Sequence, residues 1–304
     1  MSRRRPRDRS WPPAPEPLPV AVVDNHTHLD TPAELDEGAA PPPVAEQIAR
    51  AVAAGVPRLV QIGCDLPAAR WTDRVVREHP ELLGGVAIHP NEATLFAGAT
   101  DPGPDGLTPR PRPEHAVGLD AAITEIADLA RGNDRIRVVG ETGLDHFRSG
   151  EDGRAAQVDS FRAHVALAKE LGLALQIHDR DAHAEVIAVL EQDGAPERTV
   201  FHCFSGDAEM ARLCADRGWY LSFAGPVTFP ANAGLREALA AVPLSRVLVE
   251  TDAPYLTPHP YRGRPNAPYL VPLTMRTIAD VHAVDLADAC RTVAATSQDV
   301  YGPW

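Results

Sequence analysis

The stretch TVFHCFSGDAEMARLCADRGWYLSFAG, Thr199 to Gly225, contains a complete strand–helix–strand unit. Its first run, TVFHCF, and its last, WYLSFAG, are short and apolar, as expected for strands that are buried on both faces. The segment between them, DAEMARLCADRG, is amphipathic and closes on Gly218, a common residue at the end of a helix. The first strand ends at His202, whose polar ring needs a partner.

The same alternation extends over most of the 304 residues. The eight strand candidates are VAVVDNHTHL, RLVQIG, LLGGVAIHP, RVVGETGL, LALQIHDR, TVFHCF, WYLSFAG and RVLVETDAP. A final long segment, Pro272 to Val300, follows the eighth strand. Unbroken alternation of this kind predicts an α/β fold, a single parallel (β/α)8 TIM barrel. A doubly wound open sheet is the alternative, and the lack of a glycine-rich phosphate fingerprint after the first strand disfavours it.

Two segments are predicted to lie outside the regular barrel. Residues 1–19 are rich in arginine and proline and have no apolar run, so we expect a disordered tail before a single barrel domain at residues 20–304. Residues 92–120 contain DPGPDGLTPRPRPEH, which is too rich in proline for regular structure. We expect them to form a long loop after the third strand, on the face where such barrels carry active sites.

The composition limits the possible functions. The net charge is −13, so any contact with nucleic acid should be local and small rather than spread over a basic face. None of the four cysteines has CxxC spacing, so neither a zinc knuckle nor a redox motif is supported. No apolar run approaches the roughly 20 residues of a membrane span. We therefore expect a cytoplasmic protein with no membrane contact and no obligate protein partner.

Polar residues with metal-binding side chains recur at the ends of the predicted strands. They are His26, His28, His89, Glu141, His178, His202 and Asp252. In a parallel barrel all these strand ends meet at one rim, so the residues should converge there. Imidazoles and carboxylates are ligands for Zn²⁺, Mn²⁺ or similar ions, and this number of them suits two ions bridged by a carboxylate.

Each of these residues also has a purely structural interpretation. A single histidine at a strand end is more often a hydrogen-bonded structural residue, and Glu141 or Asp252 alone is compatible with a helix cap. The joint pattern favours a metal site, because five of the twelve histidines lie at strand ends. The other seven are expected at solvated positions in helices or loops: His79, His115, His146, His164, His183, His259 and His282.

These motifs, taken together, resemble those of TatD-family deoxyribonucleases, within the metal-dependent amidohydrolase-like superfamily. The segments DNHTHLD, GVAIHPNEA, VVGETGLDHFR, QIHDRDA, VFHCFSGD, LSFAGPVTF and LVETDAPYLTPHPYRGRPNAP occur in the family's order. The resemblance covers about residues 20 to 302. It implies a TIM barrel with two divalent ions (Zn, Mg or Mn) and hydrolysis of DNA phosphodiester bonds.

The resemblance also implies roles for particular residues. His26 and His28 would bind one ion with Asp252, His178 and His202 the other, and Glu141 would bridge both. His89 matches a histidine that lies near the substrate phosphate. Departures from the family pattern are the N-terminal tail, the long loop at 92–120, and HF in GLDHFR, where two aromatic residues are common.

The expected mechanism uses a metal-bound hydroxide that attacks phosphorus in line. Asp252 is expected to take the proton of the attacking water, and Glu141 to act with it in catalysis. Arg180 and Arg262 are candidates for binding phosphate, and the alternative for each is a solvated surface residue or a salt bridge. With few cations at the rim, we expect single-stranded DNA or frayed ends as the substrate.

Two other functions stay open at this point. An amidohydrolase acting on C–N or carboxylic ester bonds would use the same barrel and metals. No lysine stands at a strand end, which disfavours the carbamylated lysine of many such enzymes. A metal-dependent binding module that has lost catalysis is less well supported, because every expected ligand is present.

Overall fold

A computed structural model describes residues 8–31 and 42–304, and its strands form one eight-stranded sheet. All neighbouring strands pair in parallel and in chain order, which confirms the predicted barrel. The strands are β1 Val23–Thr27, β2 Arg58–Gly63, β3 Leu82–Val86, β4 Ile136–Asp145, β5 Ala174–Arg180, β6 Thr199–Phe201, β7 Tyr220–Phe223 and β8 Val247–Val249. Seven of them lie within a segment that the sequence predicted to be a strand, and β4 extends one residue beyond its predicted segment at each end.

Helices follow the strands and form the outer layer. They are α1 Val44–Ala53, α2 Leu66–Glu78, α3 Pro90–Phe96, α4 Leu119–Gly132, α5 Glu151–Leu171, α6 His183–Asp193, α7 Ala208–Asp216, α8 Ala233–Ala240, α9 Val271–His282 and α10 Leu286–Tyr301. Both α3 and α4 lie between β3 and β4, and both α9 and α10 follow β8. Within the described ranges, no helix is long and apolar enough to cross a membrane.

The apolar core has two layers, because successive strand residues point to opposite faces of the sheet. Most buried residues pack between the strands and the helices. A smaller cluster draws side chains from seven of the strands: Val23, Val60, Ile62, Leu83, Val138, Ala174, Val200 and Leu248. Tyr301, at the end of α10, belongs to this cluster and is 1% exposed. Layers of branched side chains from all round a barrel fill its interior, so the part of the interior lined by this cluster is a packed core. The active sites of such barrels lie at the rim formed by the carboxyl ends of the strands.

Side chains and loop backbone close the barrel between β8 and β1, where the pairing of regular strands ends. The Asp24 carboxylate accepts hydrogen bonds from the backbone N–H and the hydroxyl of Thr251, at 2.9 and 2.5 Å. The Asn25 amide donates to the carbonyl of Val249 at 2.7 Å. The backbone N–H of Asp252 donates to the carbonyl of His26 at 2.9 Å. The contacts between β8 and β1 therefore fix the positions of two predicted metal ligands, His26 and Asp252, relative to each other.

Residues 8–19 contact the barrel, although the sequence predicts that residues 1–19 form a disordered tail. The Tyr269 hydroxyl donates to the carbonyl of Pro12 at 2.7 Å, and the Arg264 guanidinium donates to the carbonyl of Trp11 at 2.6 Å. Leu18 is buried, and its backbone N–H donates to Ala54 at 3.1 Å. The proline-rich backbone keeps its carbonyls free as acceptors, and side chains from the barrel use them. Residues 1–7 lie outside the described residues.

The prediction that residues 92–120 form a loop without regular structure is partly wrong, because the range contains helical residues. Its first residues belong to α3, and a short 3₁₀ helix spans Pro113–Val117. His115 lies in that turn, is 6% exposed, and its Nε2 is 2.8 Å from the Glu92 carboxylate. The Arg112 guanidinium donates to the same carboxylate at 2.7 Å. Proline at the first position of a helix is compatible with helical structure, which the proline count did not reveal.

Candidate metal centre

The structure brings the seven predicted strand-end residues together at one end of the barrel. Their positions differ in detail from the prediction: Glu141 and His178 lie within β4 and β5, and His202 directly follows β6. His89 does not end β3, which stops at Val86; it is the residue before α3. The long β4 carries Glu141 beside its neighbours on β5 and β6, so the carboxylate becomes the middle of the cluster.

The carboxylate of Glu141 lies between two sets of imidazoles. One oxygen, Oε1, is 2.5 Å from Nδ1 of His178 and 2.6 Å from Nε2 of His202. The other oxygen, Oε2, is 3.6 Å from Nε2 of His26. Glu141 is 5% exposed, so this charge is compensated by its neighbours and not by bulk water.

Asp252 completes the side of the cluster formed by β1. Its Oδ1 is 3.4 Å from Nε2 of His28 and 3.7 Å from Nε2 of His26. The residue has a φ of 52°, a left-handed conformation that aspartate tolerates better than most side chains. Its carboxylate is 14% exposed and therefore lies at the mouth of the site, where a small substrate group can approach it.

The outer ring nitrogens of His26 and His28 face neutral carbonyl oxygens. Nδ1 of His26 is 2.8 Å from Oε1 of Gln176, whose amide nitrogen donates to the carbonyl of Asn25. Nδ1 of His28 is 3.1 Å from the carbonyl of Ile62. These acceptors place the proton on Nδ1 of each neutral ring and leave a lone pair on Nε2. The two Nε2 atoms lie 3.2 Å apart, a contact that suits a shared cation.

The outer ring nitrogens of His178 and His202 face carboxylates instead. Nε2 of His178 is 3.2 Å from the Asp145 carboxylate, and Nδ1 of His202 is 3.3 Å from the Glu250 carboxylate. Glu250 is fixed in turn by the backbone N–H of Cys203 at 2.7 Å. In the neutral state that binds a metal ion, each ring would keep its proton on this outer nitrogen and present the lone pair of its inner nitrogen toward Glu141. Pairing of a metal-binding histidine with a carboxylate behind it is common in metal sites.

Charges within the cluster shift its pKa values strongly. Burial would raise the pKa of Glu141, but the positive charges of His202 and His178 outweigh burial and hold this pKa well below its usual range. Burial would lower the pKa of His178, but the charge of Glu141 and hydrogen bonds to Asp145 and Glu141 raise it to about 9. The cluster thus holds an ionised carboxylate among histidines that retain positive charge, which is the compensation that a cation would otherwise provide.

His89 differs from the other four histidines in its hydrogen bonds. The backbone N–H of Asn91 donates to Nδ1 of His89 at 3.1 Å, so the proton of the neutral ring is on Nε2. Burial, together with the charge of His178, lowers the pKa of His89 and favours that neutral ring. Its Nε2 lies 3.5 Å from Glu141, within the cluster. A ring in this state presents a hydrogen-bond donor, which is suited to a substrate oxygen, while His89 also lies with Glu141 and His178 in a group close enough to hold an ion.

The two predicted phosphate-binding arginines lie against aromatic rings. The Arg180 guanidinium is 4.0 Å from the ring centroid of Phe147, and that of Arg262 is 5.5 Å from the ring centroid of Phe229. Arg180 is the last residue of β5, two residues beyond His178. Within the described part of the chain, neither guanidinium forms an ion pair with a carboxylate.

The sequence analysis missed the residues behind the cluster, namely Gln176, Asp145 and Glu250. All three are buried. It also placed His164 and His115 in solvent, whereas both are buried. Nε2 of His164 accepts a hydrogen bond from the backbone N–H of Ile88 at 3.1 Å, which is a structural role.

Comparison with known proteins agrees with this geometry. The family described as "TatD related DNase" matches residues 23–302. The "Uncharacterized metal-dependent hydrolase TatD" of Mycobacterium tuberculosis is 41% identical over 86% of this chain and 90% of its own length. The "Uncharacterized metal-dependent hydrolase YcfH" of Escherichia coli is 32% identical over 91% of this chain and 93% of its own length.

A solved structure supports the fold. YJJV, a TatD homologue from Escherichia coli K12, superimposes with a TM-score of 0.76 at 21% identity, over 93% of this chain and 98% of its own. The family match extends over nearly the whole barrel and includes every histidine and carboxylate of the cluster. The chain therefore belongs to the TatD-related DNase family and is a metal-dependent hydrolase.

Proposed function

We propose that this protein is a deoxyribonuclease that hydrolyses DNA phosphodiester bonds with two divalent ions, Zn²⁺, Mg²⁺ or Mn²⁺. The observation that carries this proposal is the position of Glu141, whose Oε1 contacts His178 and His202 and whose Oε2 faces His26 on the other side of the cluster. His26 and His28, with Asp252, would hold one ion, and His178 and His202 the other. The donor set fits such ions, because the ring nitrogens that point inward carry lone pairs.

Bound ions would supply positive charge for the phosphate and lower the pKa of a water molecule between them. The residues of the chain would do the rest. Asp252, at the mouth of the site, would accept the proton of the attacking water. His89 would donate its Nε2 hydrogen to a phosphate oxygen, and Arg180 would approach the same phosphate from the end of β5.

The proposed substrate is a single strand or a frayed end. The family description names DNA hydrolysis, and the net charge of −13 makes a broad basic footprint on a duplex unfavourable. The phosphate would reach a cluster whose side chains are at most 17% exposed, so the strand has to bend into the mouth of the barrel. A flexible strand bends at a lower energetic cost than a duplex.

The test is hydrolysis of an end-labelled single-stranded oligonucleotide by metal-free protein supplied with Zn²⁺, Mn²⁺ or Mg²⁺. We expect cleavage that a chelator abolishes, faster on the single strand than within a blunt duplex, and with a shallow dependence on salt. An aryl carboxylic ester is assayed in parallel. Protein that takes up metal and hydrolyses the ester but leaves every DNA strand intact would refute the proposal.

A further inference from the structure

A groove beside the metal centre is lined largely by apolar and aromatic residues. It lies between residues 226–232, which follow β7, and residues 254–265, which follow β8. Its volume is about 560 Å³, within the range of about 300–1,000 Å³ for sites that bind small molecules. We propose that this groove binds a nucleobase of the strand whose phosphate lies at the metal centre. This inference rests on the proposed function and specifies which substrate group the site recognises.

The groove begins where the metal centre ends. Tyr255 is one of its walls, and the backbone N–H of Tyr255 donates to the carbonyl of Asp252 at 2.8 Å. The Tyr255 ring centroid is 6.1 Å from that of His28, with the rings nearly at right angles. A group that is covalently attached to a phosphate at His28 and Asp252 therefore has the groove as its neighbour.

The chemistry of the lining matches a base that carries a phosphate. The groove presents the rings of Phe229 and Tyr255, and the Tyr255 side chain is 39% exposed although it lies beside a polar centre. The guanidinium of Arg262 lies over the Phe229 ring. Flat bases stack on aromatic rings and on arginine planes, and the arginine attracts the backbone phosphate. An aliphatic substrate would use neither the ring faces nor the positive charge.

Hydrogen bonds hold the two walls of the groove in place. The Asn266 amide donates to the carbonyls of Thr251 and Tyr255, at 2.8 and 2.5 Å. The backbone N–H of His259 donates to the Thr228 hydroxyl at 2.8 Å, which ties one wall to the other. A site whose walls are already fixed loses little entropy on binding, so a stacked base contributes most of its interaction energy to affinity.

The groove also requires that its base be unpaired. A base stacked between protein side chains cannot at the same time lie in a duplex stack. The preference for single strands would then arise from recognition of a base, in addition to the bending of the strand.

The experiment compares short single strands that are identical except for one abasic residue, moved along the strand one position at a time. With wild-type protein, an abasic residue at one position next to the cleaved bond should raise KM about tenfold. In the double variant Phe229→Leu, Tyr255→Leu the abasic and normal strands should have the same KM. Tyr255→Phe, which keeps the ring, should behave like wild type, and Tyr220→Ala, at the opposite end of β7, serves as the control.

Binding of the same fluorescent strands to Glu141→Gln protein separates this inference from the proposed function. Weaker binding of the abasic strand, without cleavage of DNA by any wild-type sample, would support the groove and refute the nuclease. Cleavage with equal KM for normal and abasic strands at every position would refute the groove and keep the nuclease. An unchanged ratio of the two KM values in the double variant would also refute the groove.

Discussion

The two halves of the metal centre hold their histidines in different ways. In the carbonyl-backed half, His26 and His28 face the neutral oxygens of Gln176 and Ile62. In the carboxylate-backed half, His178 and His202 face the carboxylates of Asp145 and Glu250. Both halves share Glu141, and the carboxylate of Asp252 lies in front of the rings of His26 and His28.

The difference teaches where each half obtains its negative charge. A carboxylate behind an imidazole makes the ring a stronger base and fixes its orientation. Consistent with this, the charges of Glu141 and Glu250 outweigh the effect of burial and raise the pKa of His202 well above its usual range. The carbonyl-backed half obtains comparable charge from Asp252, which lies at the mouth and is free to act on substrate. We expect the carboxylate-backed half to be the structural anchor and the other half to be the reactive one.

The largest expected effect comes from the residue that both halves share. Glu141→Gln keeps the volume and removes the charge between the two pairs of histidines. We expect activity to fall about a thousandfold or more and bound metal to decrease, while thermal stability changes much less. Turnover and elemental analysis measure both, with Glu237→Gln on the surface as the control. Full activity at saturating metal would show that Glu141 does not join the two halves.

A change in the backbone should disrupt the carboxylate-backed half selectively. Gly143 lies in β4 beside His178, with a φ of 141°, and a Cβ there would lie 2.0 Å from the His178 carbonyl oxygen. We expect Gly143→Ala to cost about 3 kcal/mol or more of stability and to weaken metal binding. Gly172→Ala is the matched control, since Gly172 also has a positive φ but has open space around it. Equal losses of stability in the two variants, measured by urea unfolding, would contradict the steric argument.

Removal of the charge behind one ring should have a smaller effect. Glu250→Gln retains an acceptor for Cys203 but removes the carboxylate behind His202. We expect the affinity for one ion to fall by about 10–100-fold, with a much smaller change for the other. Titration of metal-free protein, followed by calorimetry, measures the two affinities separately. If both ions bind more weakly by the same factor, the two halves are not distinct in the way described.

The smallest expected effect is a change in stability with pH, and it comes from His164, a buried histidine that has neutral partners only. Burial lowers its pKa to about 4, whereas a histidine in the unfolded chain titrates near 6.5. As pH falls below 6.5 the unfolded state takes up a proton first, so stability decreases toward pH 4. Between pH 7 and pH 5.5 we expect the titration of His164 to lower the free energy of unfolding by about 1 kcal/mol.

Urea unfolding in a chelator, at both pH values, compares wild type with His164→Gln. Over this pH interval the free energy of unfolding of the variant should fall by about 1 kcal/mol less than that of wild type, because the remaining groups titrate alike in both proteins. An identical pH dependence in the two proteins would mean that His164 is protonated in the folded state, and that carbonyl partners alone do not keep a buried ring neutral.

The sequence predicted the barrel and the residues of the cluster because strand ends in a parallel barrel have only one place to meet. It missed the groups behind them, although a signal was present. Side chains two or four residues apart on a strand share a face. Asp145 is four residues beyond Glu141, Glu250 two before Asp252, and Gln176 two before His178.

Other features depend on tertiary contacts that composition does not encode. The sequence predicts that the proline-rich residues 8–19 are unfolded because they lack apolar periodicity. Arg264 and Tyr269, more than 250 positions away, nevertheless donate hydrogen bonds to their backbone carbonyls. The assignment of His89 likewise needed the position of the Asn91 N–H, since sequence spacing does not reveal which ring nitrogen carries a proton.

The seam between β1 and β8 has a consequence for the order in which the molecule matures on the ribosome. Asp24 and Thr251, which close the barrel, are 227 residues apart in the chain. At about 5–20 residues per second, translation separates their synthesis by about 10–45 s. During that interval the histidines of β1 exist without Asp252 beside them. The nascent chain therefore cannot complete the carbonyl-backed half of the cluster until the last strand has been made, so any hydrolysis that depends on Asp252 would appear only in a nearly finished polypeptide.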